Sequence, residues 1–527
     1  MTALYDALTY LGRDVGLEEH RSSDLSSLGR MLDKYGVARA FVTAFASRRL
    51  DPLYGNEHVF RAAARDCRIL PCAAVLPNAC LEVGDEARQI AILIDRGARC
   101  ACLYPAGYGT GLDRRVIGPL LAALEKRRLP LALFETDLSQ AAAIARGFPR
   151  LPILLHRVPY RNRTWLPLLK DTPNLHVSLA PNFAPYRGLE TIVKHCGADR
   201  LLFASGWPET EPGSPIGYLM YSGLRDRDVR KISWENLAGL IDAVRVTGRK
   251  AASKRPARMP SVAAAGLAGN VLSRRPLSLR GVTDMHGHYG QWHEFPVWGG
   301  EADDLVAEMD RAGIARFAVA HQACMTPEAT WGNDQVLAAM ARYPGRILGY
   351  ATCYPVNARL GIQEIRRCLA SGMIGIKLHS SNGFAYTHEG YRPVWKLADR
   401  RRLPVLLHTW GDMDNYRQIF ERYRRAPILL GHSGAARKEL YVEYARRYPN
   451  VYLELVYSMA PYGLVEYFVR EVGAERILFG SDAPWMSFGS QLGRVAFADI
   501  RESEKKTILV DNPARLLALQ RKATRQR

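Results

Sequence analysis

Short apolar runs recur along the second half of the chain, each ending in a polar residue. Met373-Ile374-Gly375-Ile376 leads into Lys377-Leu378-His379, Leu403-Pro404-Val405-Leu406-Leu407 into His408, Pro427-Ile428-Leu429-Leu430-Gly431 into His432, and Arg476-Ile477-Leu478-Phe479-Gly480-Ser481 into Asp482-Ala483-Pro484. Runs of this length, separated by helix-like segments, predict βα units and a parallel sheet. Val282 and Thr283 suit a further strand, which runs through Asp284-Met285-His286-Gly287-His288 and loosens at Gly290. If the units close into a barrel, the strand C-termini share one rim, where catalytic residues of such barrels gather.

The polar residues at these ends are metal-ligand types. Successive strand side chains alternate faces, so His286 and His288 project the same way, and imidazole is a common ligand for zinc and related ions. An isolated H-x-H is weak evidence. Three more ligand-type residues at three strand ends, His408, His432 and Asp482, strengthen it. His321 ends the apolar run Arg316–Ala320 and is a candidate substrate contact. So are His379, which shares a face with Lys377, and Trp292 in the loop Gln291–Phe295.

The first half repeats the second, shifted by 274 to 278 positions: Asp6 pairs with Asp284, Asp33 with Asp310, Asn56 with Asn333, Pro130 with Pro404 and Asn236 with Asn512. Asp33-Lys34-Tyr35-Gly36-Val37-Ala38-Arg39 matches Asp310-Arg311-Ala312-Gly313-Ile314-Ala315-Arg316, and Leu202-Phe203-Ala204-Ser205 matches Leu478-Phe479-Gly480-Ser481. So long a period marks duplication of a whole domain; solenoid repeats run ~20–50 residues. In this register His286 and His288 become Leu8 and Tyr10, Lys377 becomes Cys102, His408 becomes Phe134, His432 becomes Arg157 and Asp482 becomes Gly206. The first copy is thus expected to lack the metal ligands. His156 and Glu135 stand one residue off, which in a strand turns them to the opposite face. Arg157 needs an anionic partner: one reading is an acidic ligand in this pocket, and the preferred one is an internal ion pair with Glu135 or Asp137.

The half from about Gly281 to Leu519 resembles the amidohydrolase superfamily, in its branch of metal-dependent TIM-barrel hydrolases and decarboxylases. The motifs are Thr283-Asp284-Met285-His286-Gly287-His288, Gly375-Ile376-Lys377-Leu378-His379, Leu407-His408, Gly431-His432-Ser433-Gly434, Leu478-Phe479-Gly480-Ser481-Asp482-Ala483-Pro484 and Asp511-Asn512-Pro513-Ala514-Arg515. The resemblance implies metal ligation by His286, His288, His408 and Asp482. It makes His432, Asp482 and Lys377 the catalytic candidates. It also implies one divalent ion, with zinc preferred over manganese and a second ion through Lys377 and His432 left open.

The fold class expected is therefore α/β, with two tandem TIM-like (β/α)8 barrels: a degenerate one at 1–244, a linker at 245–280, an equipped one at 281–519 and a basic tail at 520–527. Two domains of about 250 residues suit a chain of 527. The linker is rich in Ala, Gly, Ser and Pro and is expected to be flexible from Ala251 to Ala268. It carries nine basic and no acidic residues, and the tail four more basic ones, so these segments supply 13 of the net +20 charges. That placement, with no aromatic-basic interleaving, argues against a nucleic-acid partner. No apolar run reaches the ~18 residues of a membrane span. No secretory pattern is evident, and nine scattered cysteines without a C-x-x-C pair fit free thiols in a reducing cytoplasm.

The expected activity is metal-dependent hydrolysis of an amide, ester or lactone in a small molecule. Non-oxidative decarboxylation on the same site is the alternative, and metal or ligand binding without turnover the non-enzymatic one. The first copy is expected to act as an intramolecular pseudo-dimer partner, with homo-oligomerisation open.

Overall fold

The computed structural model describes residues 3–14, 22–159, 161–179, 183–246, 265–410 and 413–525, the side chains of 414 and 520–525 excepted. The chain divides into two compact units, one of Met1–Ala184, Gly188–Ala264 and Met459–Gly463, the other of Pro185–Arg187, Ala265–Ser458 and Leu464–Arg527.

The first unit is built on β1 (Leu4–Leu11), β2 (Val37–Ala44), β3 (Ile69–Ala74), β4 (Cys100–Leu103), β5 (Leu131–Leu133), β6 (Ile153–Leu155), β7 (Leu175–Ser178) and β8 (Leu201–Leu202). The second repeats the plan with β9 (Thr283–Tyr289), β10 (Arg316–His321), β11 (Ile347–Ala351), β12 (Gly375–Leu378), β13 (Val405–His408), β14 (Ile428–Gly431), β15 (Val451–Glu454) and β16 (Ile477–Leu478). Each set forms one eight-stranded sheet in sequential order, with every neighbouring pair parallel. The sheets close on themselves. Ala7 and Tyr10 donate to Phe203 O and Trp207 O, each at 2.9 Å, and Met285 and His288 to Phe479 O and Ala483 O at 2.9 and 2.7 Å. Two tandem TIM-like barrels result.

The duplication is visible bond by bond. Asp6 Oδ1 accepts the N–H groups of Leu8 and Ser205 at 3.0 and 2.9 Å; Asp284 Oδ1 accepts those of His286 and Ser481 at 3.0 and 3.2 Å. Asn236 and Asn512 each give Nδ2 to two backbone carbonyls of the turn into the last strand. Gly36 and Gly313 end equivalent helices in the left-handed region (φ 69° and 82°), which only glycine enters cheaply. β1 and β9 share a further device. Asp6 pairs with Ala40 but Thr9 with Val42, and Asp284 pairs with Phe317 but Gly287 with Val319. The extra residue is a β-bulge, which re-aims side chains.

One expectation needs correction. Residues 247–264 of the linker lie outside the described residues, but Gly266–Leu272 is a helix. Leu267 and Val271 are buried, and Leu267 N–H donates to Glu502 Oε2 at 3.2 Å. Apolar residues four apart gave that stretch a face to bury, so the expectation of flexibility fails at Gly266–Ala268.

Candidate metal centre

The bulge in β9 lets Met285 fill the barrel core while His286 and His288 both reach the rim above it. His288 Nε2 lies 3.0 Å and His286 Nε2 3.7 Å from Asp482 Oδ1. Among the described residues these three side chains form a group whose ligand atoms all fall within 4.8 Å of one another. All three are buried. His432 and Asp482 follow β14 and β16 with φ of 60° and 63°, an uncommon conformation for residues other than glycine that turns each side chain over the rim.

The surrounding groups fix this trio. Lys377 Nζ lies 2.9 Å from His286 Nε2. On the other side of the same ring, His286 Nδ1 and Glu454 Oε2 form a hydrogen bond of 2.6 Å. Glu454 also accepts the N–H groups of Val456 at 2.7 Å and His432 at 3.3 Å. Trp485 stacks flat on His288, centroids 4.3 Å apart and planes 5° apart. The His432 ring stands 4.9 Å from His286 and 4.6 Å from His408. Its Nε2 and His408 Nδ1 are buried without a hydrogen-bond partner among the described residues.

Burial drives the electrostatics. It pulls His432 down to about 4 and lowers His286, His288 and Lys377 as well. The imidazoles are therefore neutral, the form that binds metal. Burial also acts to raise Asp482, but the hydrogen bond from His288 and the Lys377 ammonium act against it, and the carboxyl stays well below its ordinary range. Two neutral imidazole nitrogens and one carboxylate oxygen, with an outer carboxylate orienting the first histidine, are a donor set that fits a divalent cation.

The other predicted residues fall at graded distances. His408 ends β13 and stacks on His379, centroids 4.0 Å apart, outside the three-residue group. His379 Nδ1 accepts Ser381 N–H at 3.2 Å. His321 accepts Ala323 N–H at 3.0 Å, and its ring meets Trp331 at 4.7 Å and Tyr289 at 6.2 Å; it caps a turn beside the site. Trp292 lies 6.3 Å from Trp485. Glu454 was not anticipated, although Val451-Tyr452-Leu453-Glu454 repeats the pattern of an apolar run ending in a polar residue.

In the first barrel aromatic side chains cluster at the equivalent place. Tyr10 stacks on Phe45 at 4.6 Å and Tyr104 on Phe134 at 4.6 Å. Arg157 is ion-paired with Glu209; Glu135 instead pairs with Arg48 at 3.1 Å, which corrects the expected partner. His156 is not turned away from the cluster. Its ring stacks on Phe134 at 5.4 Å and its Nδ1 bonds Ser178 Oγ at 2.8 Å.

Comparison with known proteins places these features. The amidohydrolase family model matches residues 32–238 and 283–519. The chain belongs to the amidohydrolase family. The chain is 22% identical over 290 residues to a gamma-resorcylate decarboxylase of Polaromonas sp., covering 42% of this chain and 88% of that protein. It is 23% identical over 248 residues to the gamma-resorcylate decarboxylase of Rhizobium radiobacter, covering 36% and 75%. Among solved structures it is similar to a dihydroxybenzoic acid decarboxylase of Polaromonas sp. with bound manganese and an inhibitor (TM-score 0.37, 19% identity, 46% of this chain and 98% of that one). No helix among the described residues is long and apolar enough to cross a membrane.

Proposed function

We propose that the second barrel catalyses metal-dependent, non-oxidative decarboxylation of a hydroxylated aromatic carboxylic acid. The observation that carries this reading is the convergence of His286, His288 and Asp482 in a chain whose curated relatives are named gamma-resorcylate decarboxylases. Hydrolysis of an amide, ester or lactone is the second reading, favoured by the unengaged Nε2 of His432 beside the trio, a position suited to accepting a proton from water.

His286, His288 and Asp482 would hold the ion, with His408 the further ligand. A bound divalent ion supplies Lewis-acid polarisation and water activation. Nitrogen and oxygen donors without thiolate do not separate zinc from manganese. In decarboxylation the bond between ring carbon and carboxyl breaks, carbon dioxide leaves, and a proton takes its place on the ring. His432, neutral at rest, is the group we assign to relay that proton, taken up from solvent, to the ring carbon. Lys377 balances negative charge on the acid, and its link to His286 Nε2 places it beside the reacting end. Trp485, stacked on His288, and Trp410, 5.7 Å from His432, offer flat walls to a planar substrate.

The test is product analysis. Metal-loaded protein is incubated with gamma-resorcylate, other hydroxybenzoates and a panel of aryl amides, esters and lactones, while carbon dioxide and acid are both followed. Carbon dioxide matched by the decarboxylated phenol supports the proposal; acid release alone, with every hydroxybenzoate unchanged, replaces it with the hydrolytic reading.

A further inference from the structure

The rim of the first barrel holds buried polar atoms that make no hydrogen bond among the described residues. Tyr10, Tyr104 and His156 are 1%, 0% and 4% exposed. Their rings surround Phe134, with centroids 6.5, 4.6 and 5.4 Å from it. Neither phenol oxygen nor His156 Nε2 makes a hydrogen bond among the described residues. Tyr10 is directed at Arg157 and Tyr104 at Thr43, but outside hydrogen-bonding geometry. A buried hydroxyl or ring nitrogen left unpaired is costly, and groups of them mark a place where something else binds.

The chemistry of the cluster defines that ligand. Arg157 and Arg48 carry the charge at the open side, their side chains 34% and 22% exposed. Arg48 lies 5.9 Å over the Tyr104 ring. Among the described residues each guanidinium has one carboxylate partner, Glu209 or Glu135, and each has five N–H donors in total. Burial takes His156 to about 3, so its ring is neutral. The walls are flat: Tyr10 on Phe45 and Tyr104 on Phe134, with planes 7° and 17° apart. Hydroxyls and guanidiniums around aromatic faces select a planar molecule bearing an oxygen-rich anion.

We infer that the first barrel is a non-catalytic binding site for a planar aromatic carboxylate. The ligand sits where Tyr10, Phe134 and Arg157 replace His288, His408 and His432 of the second barrel. No turnover accompanies it, because Leu8, Tyr10 and Gly206 offer none of the donors of the metal trio.

The test uses benzoate and the full-length chain carrying His286→Ala and His288→Ala, so that the second barrel's centre is dismantled. Calorimetric titration is expected to show one equivalent bound per chain. Adding Arg157→Gln weakens it by about tenfold or more, the loss of a charge-assisted hydrogen bond. Adding Tyr104→Phe also weakens it, yet leaves the melting temperature of the ligand-free protein unchanged or higher, since that hydroxyl has no protein partner to lose. Absence of benzoate binding in the double variant, or binding that neither added substitution alters, overturns the inference. Neither result bears on decarboxylation in the second barrel.

Discussion

Glu454 Oε2 lies 2.6 Å from His286 Nδ1, and neither side chain has exposed surface. The carboxylate therefore fixes which nitrogen of the ring faces Asp482 and Lys377. Such outer partners of metal-binding histidines typically contribute 10- to 100-fold in metal affinity. Glu454→Gln is expected to weaken divalent-ion binding by about that factor, read by competition with a chelating indicator. Unchanged affinity would mean that Glu454 serves packing alone.

Lys377 Nζ approaches the opposite nitrogen of the same ring at 2.9 Å. In our account it balances charge on the substrate and does not hold the ion. Lys377→Met should retain the metal while kcat falls on the order of 100-fold, the loss of one preorganised charge-stabilising group. Loss of metal along with activity would assign Lys377 to the metal shell.

Gly431 is where the second barrel makes room for His286. A Cβ there would stand 2.7 Å from Leu407 O and 2.8 Å from His286 Cε1. Backbone cannot yield as a flexible side chain does, so Gly431→Ala should displace the imidazole and cost roughly 1–3 kcal/mol of overpacking. Reduced metal occupancy and a lower melting temperature are expected together. Gly147→Ala, where a Cβ meets nothing within 4 Å, is the control and should leave metal occupancy unchanged and the melting temperature unchanged or slightly higher.

Asp6 tests the closure of the first barrel. Burial raises its carboxyl from 3.8 to about 7, so the folded protein keeps a proton that the unfolded chain gives up from about pH 4. That contribution to stability is complete below pH 3.8 and is lost as pH rises through about 7, at about 1.4 kcal/mol per pH unit. Asp6→Asn keeps an acceptor for Leu8 and Ser205 N–H but does not titrate. Relative to the parent, the variant's melting temperature should climb steadily between pH 4.5 and 7. A constant difference would contradict the assignment.

Much of this was legible in the sequence because the rules involved are local. His286 and His288 share a direction by strand periodicity, and the lone carboxylate of Asp482 follows an unmistakable apolar run. The duplicated Asp6/Asp284 and Asn236/Asn512 positions turned out to make the same hydrogen bonds. The failures came where local rules stop. The alternation argument turned His156 away from the cluster, but β6 ends at Leu155 and Arg157 has φ 61°, so His156 lies past the strand, where alternation does not apply. Arg157 found Glu209, far along the chain, rather than the nearer Glu135 or Asp137. Glu454 lies 168 positions from His286, and no spacing rule links such a pair. The helix at Gly266–Leu272 was hidden by a basic, Ala- and Gly-rich composition that read as linker.

The most direct measurement is metal content per chain, on protein purified without chelator, for the parent and for a His286→Ala/His288→Ala variant. The account predicts about one equivalent of a divalent transition metal in the parent and none in the variant. A parent that neither carries nor takes up such an ion, or a variant that keeps it, would contradict a metal centre in the second barrel.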